Sequence, residues 1–202
     1  MNRRLTPRGR ERRRQLMDYA ATRFAESGYH PTSVAEIVQG LGVGKGVFYW
    51  YFSSKEELFL EILRDAQRDL RKTQQAAIGE ADDAKTRIEL GIRATMQWSA
   101  EHRELHNLFQ AAATEERFAP ALRRGGEVAA GDVIRILKEG MAAGEVRDGD
   151  PVLLAHAVFG VTAYLARVFI HEQDEDPGRV ADECVAFCLE GLLLGSDEPA
   201  PT

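Results

Sequence analysis

The chemistry available to this sequence is concentrated in residues 45–52, KGVFYWYF, where a lysine precedes a run of aromatic side chains. Phe48 and Phe52 lie four residues apart, so they share one face of a helix, and we expect that face to be buried. A helix with one buried face cannot also hide Tyr49 and Trp50. Lysine and tyrosine donate hydrogen bonds to phosphates, and flat rings pack against sugars and bases. The segment is therefore a candidate contact for nucleic acid.

A second short helix must precede this one and hold it in place. Ser33 and Glu36 have the spacing of a capping box, which predicts where that helix begins. Gly42 is well placed to end it, because glycine adopts the left-handed backbone conformation without a steric clash. Only about two residues then separate the two helices, which is the geometry of a helix-turn-helix. The apolar face of the earlier helix consists of Val34, Ile37, Val38 and Leu41.

Two longer helices are predicted on either side of this pair. The first runs from about Thr6 or Pro7 to Ser27, where Gly28 can end it. The other starts after Ser54, which forms a capping box with Glu57, and continues to about residue 77. Because the latter helix borders both halves of the chain, we expect it to transmit changes from one half to the other. The buried stripe of the first helix consists of Leu16, Ala20 and Phe24.

The net charge of −6 is unusual for a nucleic-acid-binding protein until it is divided along the chain. Residues 1–58 contain ten Lys or Arg and six Asp or Glu, a net charge of +4, so the remainder carries −10. Residues 1–14 alone contain seven arginines, which predicts either a solvated tail or an arm that contacts phosphates or a minor groove. A local positive surface is what binding to nucleic acid requires.

The segment GVGKGVFYWYFSSKEEL resembles the helix-turn-helix signature of the tetracycline-repressor (TetR) family of bacterial transcription regulators. The resemblance covers roughly residues 12 to 60. There are three departures, because the family usually has serine at Gly44, often threonine at Val47, and usually alanine near Gly40. Two of these departures remove hydroxyl groups that often face DNA. The residues in register are Phe24, Gly28, Ile37, Gly42, Val43, Lys45, Gly46, Tyr49, Phe52, Lys55 and Leu58.

The resemblance implies an all-α chain of about nine helices in two domains. Residues 1–53 would form a three-helix DNA-binding domain with a basic arm, residues 54–195 a helical effector-binding and dimerisation domain, and residues 196–202 a disordered tail. A symmetric dimer would place two recognition helices in successive major grooves, about 34–36 Å apart, so the target would be an inverted repeat. The regulator would most simply be a repressor, which a small-molecule effector releases from its operator by favouring a different spacing of these helices.

The candidate DNA contacts divide by chemistry. Lysine reads guanine O6 and N7, so Lys45 is the candidate for a base edge, and Trp50 and Val47 are candidates for a thymine methyl group. Hydroxyls and amines that contact phosphates fix the register without reading sequence. The complete set is Thr32, Ser33, Lys45, Gly46, Val47, Tyr49, Trp50, Tyr51 and Lys55.

The C-terminal half contains two helices that differ from the rest. Residues 151–172 begin with proline and are apolar on nearly every side, which requires burial on every side. His156, Tyr164 and Arg167 interrupt this stretch, so we do not interpret it as a membrane span. The resemblance implies that it pairs with residues 179–195 across a two-fold axis as a four-helix bundle in a homodimer. The candidate effector pocket consists of Trp98, Phe109, Phe118, Phe159, Tyr164 and Arg167.

Other potentially reactive residues favour structural roles. His102 and His106 have metal-ligand spacing, but we find no third ligand nearby and predict no metal and no cofactor. Cys184 and Cys188 are one helical turn apart, which is poor disulfide geometry and favours buried thiols in a cytoplasmic protein. We find no nucleophile–base pair, so an enzyme or small-molecule carrier is the less favoured class. A DNA-binding regulator without a small-molecule effector remains a second alternative.

Overall fold

A computed structural model describes residues 5–192, and within that range the chain forms nine α-helices and no strand. A 3-10 turn at Glu116–Phe118 precedes α7, and a π-helical segment at Ala166–Glu172 continues α8. This confirms the predicted all-α class. The helices are α1 (Pro7–Ser27), α2 (Val34–Gly40), α3 (Lys45–Tyr51), α4 (Lys55–Ile78), α5 (Ala84–Glu101), α6 (Arg103–Ala113), α7 (Ala119–Ala142), α8 (Pro151–Leu165) and α9 (Pro177–Leu192).

Side-chain caps fix where the first helices begin. The hydroxyl of Thr6 accepts a hydrogen bond from the backbone N–H of Gly9 at 3.2 Å, and α1 starts with a proline, as predicted. Ser33 accepts from the N–H of Glu36 at 3.1 Å to begin α2. Ser54 accepts from the N–H of Glu57 at 3.0 Å at the start of α4. Local sequence signals therefore set these boundaries correctly.

The turn between α2 and α3 depends on glycine. Gly42 has φ +63°, a conformation that residues with a Cβ rarely adopt, and this confirms the predicted end of the first helix of the pair. Gly40 serves a different purpose, because a Cβ there would lie 1.9 Å from the Tyr19 hydroxyl oxygen. The ring of Tyr19 therefore occupies the space that the family's usual alanine would need.

The described chain divides into two compact units, each with its own core. Unit 1 comprises residues 1–67 and 104–123, and unit 2 comprises residues 68–103 and 124–202. In unit 1, α1, α2 and α3 pack around Phe24, Ile37, Phe48 and Phe52, as predicted from the sequence. The same core also contains Leu58, Phe59, Ile62 and Leu63 of α4, together with Leu108, Ala112 and Phe118 from the later segment.

The predicted domain boundary between residues 53 and 54 is therefore wrong as a boundary between compact units. The first half of α4 buries Phe59 and Leu63 in the core of unit 1, and the division falls after Gln67, inside that helix. Residues 104–123, which we assigned to the C-terminal domain, also pack in unit 1. The predicted disordered tail, residues 196–202, lies outside the described residues.

Unit 2 is built mainly from α5, α8 and α9. Ile92 and Met96 of α5 pack against Cys184 and Cys188 of α9 in one continuous core. Both cysteines are buried free thiols, which confirms the structural role predicted for them. Helix α7 runs without interruption through Gly131, so the bend that glycines suggested there does not occur.

One helix, Pro151–Glu172, is long and apolar enough to cross a membrane by length and composition, and 28% of the window that meets this test is buried. The core helices of globular proteins satisfy the same criterion. Ala155, Val158 and Ile170 are buried in the core of unit 2. The apolar character of this helix thus serves packing on at least one side.

Candidate DNA-binding surface

Helix α3 has one buried and one exposed face, as its sequence predicts. Phe48 and Phe52 are almost fully buried, and their ring centroids lie 5.8 Å apart in the core of unit 1. On the opposite face, Tyr49 is 57% exposed and Trp50 is 53% exposed. Large exposed rings are expensive to leave in water unless a partner covers them. The face that they form is the centre of the candidate surface.

Lys45 and Gly46 lie at the start of the same helix. Both are exposed, and no described residue forms a hydrogen bond or ion pair with Lys45. A Cβ at Gly46 would meet nothing within 4 Å, so the backbone here is open to a ligand. The ammonium group of Lys45 is thus available to a base edge or a phosphate.

Tyr51 and Val47 are less accessible than their neighbours. Tyr51 is half-buried, packs against the core of unit 1, and meets the ring of Trp50 edge-on at a centroid distance of 4.5 Å. Val47 is also half-buried. These side chains support Trp50 and present only part of their surface to a partner.

The structure overturns the prediction that Thr32 is a phosphate anchor. Its side chain is fully buried, and its hydroxyl donates to the carbonyl oxygens of Gly28 at 2.8 Å and Arg23 at 3.3 Å. Thr32 therefore closes the connection between α1 and α2. Ser33 is exposed, and its hydroxyl oxygen accepts the cap bond from Glu36, so its proton remains available to a phosphate.

Lys55 is also not a free cation. Its Nζ donates to the carbonyl oxygens of Tyr29 at 2.7 Å, Thr32 at 2.9 Å and His30 at 3.2 Å, and it lies 4.3 Å from the centroid of the Tyr29 ring. Burial lowers the pKa of Lys55, and the nearby Arg117 lowers it further. All three donors of the ammonium group are used inside unit 1. The phosphate contact predicted for Lys55 is therefore not supported, because its reach is directed inward.

Sequence reasoning missed the structural importance of the turn at residues 29–32. The ring of Tyr29 meets Phe59 and Phe118 edge-on at 4.9 and 5.2 Å, and the Arg117 guanidinium lies 5.6 Å from its centroid. His30 forms an ion pair with Glu115. These partners are distant in sequence, so no local pattern indicates them.

The six residues predicted to line an effector pocket do not line one cavity. Phe109 and Phe118 pack in the core of unit 1, whereas Trp98 is buried in unit 2 and donates its Nε1 hydrogen to Asp69 at 2.9 Å. Phe159 and Tyr164 are 40% and 58% exposed on α8. Their aromatic character reflects two cores and an open helix face, which sequence alone cannot separate.

Arg167 is half-exposed and forms an ion pair with Glu172 at 2.7 Å, so its anion is a side chain of the same segment. His102 stacks on Trp98 with ring centroids 4.4 Å apart. Among the described residues, no group of three or more His, Cys, Asp or Glu could hold a metal ion.

Comparison with known proteins adds to this geometry. Residues 16–62, which include α2 and α3, match the family model described as bacterial regulatory proteins of the tetR family. The HTH-type transcriptional regulator YdgC of Bacillus subtilis is 28% identical over 92% of this chain and 95% of its own length. The chain belongs to the TetR family. It is a DNA-binding transcription regulator, and α3 is the recognition helix of its helix-turn-helix.

Other TetR-family proteins resemble the whole chain. The fatty acid metabolism regulator protein of B. subtilis is 29% identical over 88% of this chain and 94% of its own length. The crystal structure of the regulator FadR from B. subtilis, in complex with stearoyl-CoA, matches with a TM-score of 0.81 at 22% identity over 88% of this chain and 98% of that one. A regulator from Saccharomonospora viridis, in complex with choline, matches with a TM-score of 0.79 at 18% identity, over 92% and 100%. At these identities the solved structures establish the fold, and their ligands differ.

Proposed function

We propose that this protein is a dimeric transcriptional repressor that binds an inverted-repeat operator through α3. The observation that carries the proposal is the exposed face of that helix. Lys45, Tyr49 and Trp50 project from a helix whose other side is anchored by Phe48 and Phe52. A rigid support of this kind holds the contacting side chains in a defined geometry.

The roles within the surface follow from the geometry of each side chain. Lys45 would donate to guanine O6 and N7, and Trp50 with Val47 would contact a thymine methyl group. Tyr49, Tyr51 and Ser33 would donate to phosphates and fix the register. Gly46 would permit close approach of the DNA backbone.

The proposed dimer forms through α8 and α9. Of the large hydrophobic residues that are exposed in the described chain, five lie on these two helices, and Phe187 is 67% exposed. An apolar surface of this kind is typical of an interface. A two-fold axis would bring the same patch of each protomer together, as in most homodimers. The exposed residues are Val152, Leu153, Phe159, Tyr164 and Phe187.

The proposed effector is a long-chain acyl-CoA, which would bind in unit 2 and release the operator. This class is supported by the relative named for fatty acid metabolism and by the neighbour that holds stearoyl-CoA. A coupling free energy of about 1–3 kcal/mol between effector and DNA would be enough for regulation. The proposed site of action is the cytoplasm, and the relatives, which are named as transcription regulators, give no support for an enzymatic activity.

DNA binding is tested by footprinting the full-length protein on the DNA next to its own gene. Protection of an inverted repeat supports the proposal. Lys45→Ala should mainly relax sequence preference, because a base contact is lost, whereas Tyr49→Ala should weaken binding to all sequences. If both substitutions have the same effect on every sequence, the assigned roles are wrong.

Effector binding is tested with Trp98 as the reporter, because it is buried in unit 2. The variant Trp50→Phe leaves Trp98 as the single tryptophan of the chain. Stearoyl-CoA should change its emission and release the operator in the unaltered protein, while coenzyme A alone and choline should do neither. Full operator binding at saturating concentrations of all three would favour a regulator without a small-molecule effector, or one with a different ligand.

A further inference from the structure

A groove of about 470 Å³ lies between the first turns of α1 and one side of α3. Both walls belong to unit 1, and no acidic side chain lines the groove. One edge of the groove is therefore continuous with the exposed face of the recognition helix. The lining residues are Thr6, Arg8, Gly9 and Arg12 from the α1 side, and Gly46, Val47, Trp50 and Tyr51 from the α3 side.

The two walls are held together by close packing. Gly9 is buried, and a Cβ at this position would lie 3.7 Å from the Tyr51 hydroxyl oxygen. Tyr51 in turn supports the ring of Trp50, at a centroid distance of 4.5 Å. The groove is thus a fixed feature of unit 1, with cations on one side and aromatic rings on the other.

The arginines of α1 are not equivalent. Arg13 contacts an acidic side chain of α4 at 2.6 Å, and Arg14 contacts one in its own helix at 3.6 Å. Arg8 and Arg12 lie one helical turn apart at the groove, and no described residue forms an ion pair with either. Their positive charge is therefore available to an external anion.

We propose that this groove binds a phosphodiester of the DNA backbone, with Arg8 and Arg12 as the cationic side and Trp50 against the adjacent sugar. The inference rests on the proposed function, because the same DNA molecule would contact α3. It supplies phosphate anchors next to the recognition helix, in place of Thr32 and Lys55, whose donors are used inside the protein.

The chemistry of the groove fits this ligand. The guanidinium group offers several donors in a planar fork that matches phosphate oxygens, and it keeps its charge at all physiological pH values. An aromatic ring packs against a sugar or base without reading sequence. The site would therefore add affinity and register to the complex, and would leave base discrimination to α3.

The experiment measures binding of full-length protein to duplex DNA over a range of salt concentrations. The double variant Arg8→Gln/Arg12→Gln is compared with the unaltered protein. The control is Arg123→Gln/Arg124→Gln, which removes the same charge from exposed positions on α7 that have no described partner. Each phosphate contact contributes about 0.9 to the slope of log affinity against log salt, so four contacts per dimer predict a slope smaller by about 2–4 in the first variant. The control slope should be unchanged.

A second measurement follows Trp50 in the unaltered protein. Trp50 is 53% exposed whereas Trp98 is 6% exposed, so acrylamide should quench mainly Trp50. Bound duplex should protect it, and protection should be weaker in the Arg8→Gln/Arg12→Gln variant at equal saturation.

The outcomes separate the two proposals. If the unaltered protein does not bind duplex DNA, the proposed function fails. If it binds, but Arg8→Gln/Arg12→Gln keeps the full salt slope, or if the Arg123→Gln/Arg124→Gln control loses as much, the phosphate site is wrong while the proposed function stands. Unchanged quenching of Trp50 on DNA would overturn the aromatic side of the site.

Discussion

Replacing Lys55 with methionine should destabilise unit 1 without removing a phosphate contact. The ammonium group donates to three carbonyl oxygens, of Tyr29, His30 and Thr32, at 2.7 to 3.2 Å. Methionine keeps an unbranched apolar side chain, so the packing of the lysine stem is largely preserved. The comparison partner is Lys45→Met, which makes the same chemical change at an exposed lysine with no described partner.

The magnitude follows from what the turn loses. A hydrogen bond to a charged group contributes about 1.5–3 kcal/mol when isolated from water. The turn is partly exposed, so water can replace some of these bonds, and we expect a total loss of about 2–3 kcal/mol. The cation over Tyr29 adds about 0.5–1 kcal/mol. For a chain of this size, about 2–4 °C of melting temperature is lost per kcal/mol, which predicts a decrease of roughly 5–12 °C. Lys45→Met should change stability by less than about 0.5 kcal/mol.

The assay combines thermal unfolding at fixed protein concentration with duplex binding at several salt concentrations. Lys45→Met should lower the salt slope by about 0.9 for each phosphate that it contacts, and should leave the melting temperature unchanged. Lys55→Met should show the reverse pattern below its melting transition. If Lys55→Met keeps full stability and lowers the slope as much as Lys45→Met does, the structural role is refuted, and the phosphate contact predicted from sequence is restored.

Three further predictions follow from other contacts. Gly140→Ala should destabilise unit 2 by about 1–3 kcal/mol in urea unfolding, because its Cβ would lie 2.6 Å from a neighbouring Cβ, whereas Gly131→Ala in the same helix should be neutral or stabilising; equal effects would contradict the packing. Phe187→Ser should shift the light-scattering mass toward the monomer, and an unchanged mass would exclude it from the interface. The hydrogen bond with His30 is the main reason that the pKa of Glu115 lies below its ordinary value of 4.5, so the stabilisation exists above that pH and disappears below it. Glu115→Gln should make acid unfolding less steep, which pH-dependent melting can check.

Much of the recognition helix and its support could be predicted from local sequence. The spacing of Phe48 and Phe52 places them on one face of a single helix, and that relation survives any tertiary arrangement. Caps at Thr6, Ser33 and Ser54 depend on residues at most three positions away. Periodicity and capping act over one or two turns, so they are readable without knowledge of the fold.

The outcome for the two cysteines is similar. Cys184 and Cys188 repeat at helical spacing among apolar residues, and both are buried. By contrast, the aromatic residues Phe109 and Phe159 gave no sign of their different surroundings. One packs in the core of unit 1, and the other is 40% exposed on α8. Hydrophobic character indicates that a side chain prefers to be covered, but it does not indicate by what.

Tertiary structure alone decided which polar side chains of unit 1 remain available to DNA. Thr32 and Lys55 have the chemistry of phosphate anchors, but they satisfy carbonyl oxygens of the turn between α1 and α2, up to 26 positions away in the chain. Arg8 and Arg12 have the same chemistry as their neighbours and keep their charge free of described acidic partners. A hydrogen bond depends on the positions of two groups in space, and for distant residues only the folded chain sets those positions.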